Sequence, residues 1–84
     1  MKFYYITFRS VTFAQRGEQI LQENNIRCTL LRTPKWMEQQ GCGYSLRVQS
    51  HQAAQCAQLL REEKVEFRKI YLLRENGKGE ELLL

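Results

Sequence analysis

The stretch Phe3-Tyr4-Tyr5-Ile6-Thr7-Phe8 carries large apolar side chains on both of its alternating sides. Successive side chains of a strand point to opposite faces, so Phe3 and Tyr5 share one side and Tyr4, Ile6 and Phe8 the other. A segment of this kind suits a central position in a sheet, and it leaves aromatic surface on any face that no helix covers. Exposed apolar patches mark interaction sites, so the open face offers an interface for a homodimer.

The remaining elements follow from periodicity. Ser10 or Thr12 can cap a helix, and Thr12 with Gln15 fits a capping box. Phe13, Gly17, Ile20, Leu21 and Asn24 then recur at helical spacing, and Asn24-Asn25 ends the helix in the left-handed conformation that asparagine tolerates. Residues 26–32 read as a second strand, closed by Thr33-Pro34, since proline cannot donate to a ladder. Residues 35–43 form the longest irregular stretch, and residues 44–49 read as a third strand. Ser50 caps a second helix whose apolar stripe is Ala53, Cys56, Ala57 and Leu60. Residues 67–73 read as the fourth strand.

The order strand, helix, strand, strand, helix, strand predicts an α+β fold of the ferredoxin-like split βαβ type (βαββαβ). Two right-handed crossovers build a four-stranded antiparallel sheet with both helices on one face. Residues 1–73 form the single domain and residues 74–84 a C-terminal tail. Asn76-Gly77-Lys78-Gly79 is a turn or link, and Leu82, Leu83 and Leu84 either dock or fray.

The chain has 84 residues, enough for one small domain with a modest stability margin, which a partner subunit would widen. No apolar run approaches the roughly 20 residues that cross a bilayer, so no membrane partner is expected. The aromatic N-terminal stretch is too short for a signal peptide, and the cytoplasm is the default compartment. The net charge of +4 permits an anionic partner, but the basic residues are spread out rather than massed in a block.

Three cysteines without a CxxC pair argue against a disulfide framework or a zinc site. Cys28, in step with Leu30, and Cys56, on the second helix's stripe, read as small buried hydrophobes. Cys42, between Gly41 and Gly43, belongs to neither kind of pattern. Glycine adds no bulk, so a thiol held this way can be presented to a partner. Reactivity needs exposure and electropositive surroundings, for which Arg32, Lys35 and Arg47 are candidates. The glycines also let backbone N–H groups turn inward as an anion-holding nest. The alternative is a plain turn in which Cys42 is incidental. Spacing alone leaves both readings open.

The constellations of a self-contained enzyme are missing. His51 is the single histidine, placed near the start of the second helix, where a polar surface role competes with that of a base for Cys42. There is no aspartate, no Walker loop, no GxGxxG and no metal-ligand cluster, and no cofactor is called for. A carrier, by contrast, needs one thiol together with a donor protein that loads it and an acceptor that unloads it.

Thr33-Pro34, Gly41-Cys42-Gly43 and Leu46-Arg47-Val48, after an aromatic first strand, Ser10 and an amphipathic helix, resemble the small bacterial selenium/sulfur carrier protein-like family. The likeness covers about residues 3 to 73, with Cys42, Gly43, Leu46 and Arg47 its most specific part. It implies a bacterial cytoplasmic protein linked to selenium or sulfur trafficking. Cys42 would then hold the sulfur or selenium as a persulfide or selenosulfide, Gly41 and Gly43 would shape its loop, and Arg47 would be the nearby cation.

Two other functions compete. A ferredoxin-like plan also serves RNA recognition, but Gly41-Cys42-Gly43-Tyr44 lacks the basic and aromatic pattern of that motif, and Tyr4 and Phe8 lie opposite Tyr5. Nucleic acid is therefore a poor expectation. A non-catalytic protein-interaction or small-ligand module is the main alternative, with Trp36 and Met37 either partner anchors or packed back on the sheet.

Overall fold

A computed structural model describes residues 3–33, 43–73 and 79–82. The chain runs β1 (Phe3–Phe8), α1 (Val11–Glu23), β2 (Cys28–Arg32) and β3 (Tyr44–Gln49). A 3₁₀ turn (Ser50–Gln52) then leads into α2 (Ala53–Glu62), followed by β4 (Ile70–Leu73) and β5 (Gly79–Leu82). The strands make one antiparallel sheet in the order β2-β3-β1-β4-β5. The apolar first strand is central, as its two-sided pattern requires.

The expected four-stranded sheet has a fifth strand. Gly79–Leu82, read from the sequence as part of a tail, pairs with β4 from Leu73↔Gly79 to Ile70↔Leu82. Two glutamates in a four-residue segment are poor strand formers. The unpaired edge of β4 supplies the partner groups that no local pattern announces.

Both helices lie on one face. Gly17 of α1 sits so close to Phe8, Leu46 and, on α2, Leu60 that an added Cβ would come 3.0 to 3.3 Å from them. The absence of a side chain thus lets α1 settle onto β1, β3 and α2 together. Tyr4, Ile6 and Phe8 of β1 point to this side, in register with Val48, Leu46 and Tyr44 of β3. The core adds Ala14 and Leu21 from α1, and Cys56, Ala57 and Leu60 from α2. Phe13, expected on the buried stripe of α1, is exposed at 38%, because the stripe is centred on Ala14, Gly17 and Leu21 instead.

The helix ends are set by two copies of one motif. Ser10, not Thr12, is the N-cap of α1, its hydroxyl accepting from the Phe13 amide at 3.4 Å. At the other end Asn25 takes φ 60°, and the Ile26 and Asn25 amides donate to the Leu21 and Gln22 carbonyls. Helix α2 closes alike: Lys64 has φ 58°, and Val65 and Lys64 donate to Leu60 and Arg61. These are Schellman caps, each with a buried apolar pair, Leu21 with Ile26 and Leu60 with Val65. Ser50 opens the 3₁₀ turn, and Gln52 occupies the N-cap position of α2 without a side-chain cap bond.

Strand β4 starts at Ile70, three residues later than residues 67–73 would suggest. The reason lies opposite it. Arg68 donates to the Thr7 carbonyl at 2.7 Å, Thr7 donates to the Lys69 carbonyl at 2.8 Å, and the Lys69 amide turns to the Thr7 hydroxyl at 3.0 Å. Two residues thus face one, the count of a β-bulge, and a side-chain oxygen takes the place of a ladder acceptor.

Candidate functional site

The site suggested by sequence lies where β2 leaves the sheet and β3 re-enters it. The Thr33 amide donates to the Gly43 carbonyl at 3.0 Å, which extends the β2–β3 ladder by one bond beyond Arg32↔Tyr44. Gly43 is buried. Gly41 and Cys42 lie outside the described residues, as do Lys35, Trp36, Met37, Leu83 and Leu84. What the structure supplies is therefore the anchor from which residues 34–42 depart.

A line of hydroxyls crosses the helix-free face at this anchor. Thr33 Oγ1 and Ser45 Oγ are 2.6 Å apart, and Ser45 pairs in register with Thr7. The Thr7 hydroxyl also donates to the Lys69 carbonyl at 3.2 Å. Ser45 and Thr7 are buried, and among the described residues no buried side-chain nitrogen or oxygen lacks a partner. Satisfied hydroxyls in a buried row hold this end of the sheet in one arrangement.

Cations ring the same end. Arg32 lies 5.9 Å above the Tyr44 ring, and Arg9 follows Phe8, the partner of Tyr44. Arg9 also shares a cleft of about 230 Å³ with Arg68, Lys69 and Glu66, walled by Phe13 and Phe67. Of these cations the sequence pointed only to Arg32. Arg9, Arg68 and Lys69 come from the ends of other strands, and only the sheet order brings them to the Gly43 end. The bulge opposite Thr7 is what places Arg68 and Lys69 there.

Arg47 is placed differently. It sits four residues along β3 from Gly43, about 13 Å at strand rise. Its guanidinium lies 4.8 Å from the Phe3 ring centroid, and Phe3 pairs with Gln49. Its charge is thus turned towards the Gln49 end of the strand. His51, in the 3₁₀ turn after Gln49, is exposed at that end too.

The two described cysteines are both free thiols on the helix side. Cys28 is half-buried, with Sγ 4.0 Å from the Glu18 carbonyl. Burial, helped by the negative charge of Glu18, pushes its thiol up to about 11. Cys56 is fully buried, and burial, with Cys28 nearby as a second cause, pushes it up to about 11 as well, against a lowering backbone hydrogen bond. Both stay protonated at neutral pH, and a protonated thiol is a poor nucleophile. Among the described residues no group of three or more histidine, cysteine or acidic side chains is arranged to hold a metal ion. No helix among them is long and apolar enough to cross a membrane.

A family described as "Putative Se/S carrier protein-like" matches residues 3–72. The chain belongs to this family. The family match runs from the start of β1 into β4 and covers every cysteine, and it ends before β5. No curated protein and no solved structure matches the chain.

Proposed function

We propose that the chain carries sulfur or selenium on Cys42, as a persulfide or selenosulfide passed from a donor protein to an acceptor protein. The observation that carries this reading is the state of the other two thiols. Burial pushes Cys28 and Cys56 to about 11, which leaves Cys42 as the thiol available for exchange in a family described as carrier-like. Gly41 and Gly43 give the loop its shape. The cations Arg9, Arg32, Arg68 and Lys69 supply the positive field that favours a thiolate.

The exchange is a displacement at sulfur. The Cys42 thiolate attacks the terminal sulfur of a donor persulfide. The donor's S–S bond breaks, a new S–S bond forms on Cys42, and the donor leaves as a thiolate. The terminal sulfur keeps its proton. An acceptor thiolate then repeats the step and returns Cys42 to its starting state, with no net oxidation. Selenium follows the same course with a terminal selenol.

The scaffold in this reading is ferredoxin-like, with β5 added at one edge, and it works in the bacterial cytoplasm. A second copy packs through the helix-free face, where Leu31 and Tyr71 are part-exposed. Intact mass spectrometry after incubation with a cysteine desulfurase and cysteine tests the carrier step. Wild type, Cys28→Ser and Cys56→Ser gain sulfur, and Cys42→Ser does not. A gain that persists in Cys42→Ser, or none in wild type with sulfur or selenium donors, overturns it.

A further inference from the structure

The end of the sheet away from Gly43 holds a groove of about 540 Å³ that the carrier reading does not use. It wraps the corner between the helix-free face and the α1–β2 turn. Thr29, Arg47, Gln49 and Phe3 line it from the sheet, Gln22 from α1, and Asn25 and Arg27 from the α1–β2 turn. No aspartate or glutamate is among the lining residues. Glu18, the carboxylate that acts on the neighbouring Cys28, is not one of them.

We propose that this groove binds the phosphoryl group of a small phosphorylated molecule. Two guanidiniums, three carboxamides and a threonine hydroxyl meet around one space, and every one of these groups can donate hydrogen bonds to an oxyanion. The Arg47 guanidinium lies over Phe3. A ring beneath a guanidinium restrains it and still leaves N–H groups for a ligand. Asn25 is fixed at the rim by the left-handed turn that ends α1. Two cations match a doubly charged phosphate monoester and leave half their charge unanswered by a monocarboxylate. The volume lies within the roughly 300–1,000 Å³ of small-molecule sites.

A nucleic-acid strand fits this surface less well. Base stacking needs rings presented on the open face, but Tyr5, the central aromatic there, is only 7% exposed, and the Phe3 ring is already taken by the Arg47 guanidinium. The groove lies at the opposite end of β3 from Gly43, so the proposal stands apart from the fate of Cys42.

Amide chemical shifts of the isotope-labelled protein, titrated at constant ionic strength with inorganic phosphate and with phenyl phosphate, test it. Saturable shifts centred on Asn25, Arg27, Thr29, Arg47 and Gln49 are expected. Arg27→Gln and Arg47→Gln should each weaken binding by about tenfold or more, as loss of a charged hydrogen bond does. Arg27 is exposed, so its replacement leaves the core alone, and unchanged shift dispersion elsewhere verifies the fold. Cys42→Ser should bind as wild type does. The proposal is overturned if neither phosphate gives saturable shifts, if the shifts spread equally to Arg9, Arg61 and Arg68, or if both arginine variants bind unchanged. Equal binding of succinate, or shifts seen only with a single-stranded oligonucleotide, would also refute it.

Discussion

The two ends of β3 are only a strand's length apart, yet they are equipped for different chemistry. At the Gly43 end the polar groups on the helix-free face are hydroxyls paired with one another or with backbone. The charges there stand around the rim, on residues that begin and end strands. At the Gln49 end the polar groups are amides and guanidiniums that converge on a groove without a carboxylate. The first end is built to anchor a loop and the second to receive an anion. Arg47 shows why chain distance misleads: it follows Cys42 by five residues, but its guanidinium lies with Phe3 and the groove.

If the ends are independent, variants made for one should leave the other intact. Cys42→Ser should abolish sulfur loading without touching phosphate binding, and the paired Arg27→Gln, Arg47→Gln change should do the reverse. Loss of both activities in either variant would break the separation. A substitution between the ends should instead weaken both. Gly17 packs on Leu46, midway along β3, so Gly17→Val should cost about 3 kcal/mol by overpacking. Urea denaturation would measure it, with amide protection falling at both ends alike. An unchanged midpoint would mean that α1 can lift away from the sheet.

Thr7→Val should be smaller and confined to one end. It removes the acceptor of the Lys69 amide and a donor to the Lys69 carbonyl, at a cost of about 1–3 kcal/mol. Hydrogen exchange should show Lys69 and Ser45 losing protection while Val48 and Gln49 keep theirs. Equal losses along β3 would show that the bulge is not a local device.

These features were unevenly visible in the sequence. Strand β1 was legible as a run of aromatic and β-branched residues, β3 by the alternation of Tyr44, Leu46 and Val48 with polar residues, and α2 because its buried stripe keeps the helical period. The stop at Asn24-Asn25 was legible because asparagine tolerates the conformation it takes there. The start of β4 was not, since it depends on a hydroxyl at Thr7, 62 residues away from Lys69. Strand β5 was hidden for a related reason, as its glutamates form a strand only against the edge of β4. The groove was least legible of all. Its residues lie in β1, α1, the α1–β2 turn, β2 and β3, and neither Phe3 nor Gln22 carries any sign of Arg27 or Arg47. Cys42 was the opposite case, conspicuous in sequence by its two glycines and by fitting no packing pattern.

If the chain is a carrier, Cys42, next to Gly43, should be its one chemically available thiol. Alkylation of the native protein with iodoacetamide, quenched over time and mapped by peptide mass spectrometry, tests this directly. Cys42 should react first at neutral pH. Cys28 and Cys56, with thiols pushed from about 9 to about 11, should stay unmodified until the pH climbs towards that value or the protein is denatured. Alkylation of Cys28 or Cys56 as fast as Cys42 at neutral pH in the folded protein would mean that burial does not set Cys42 apart.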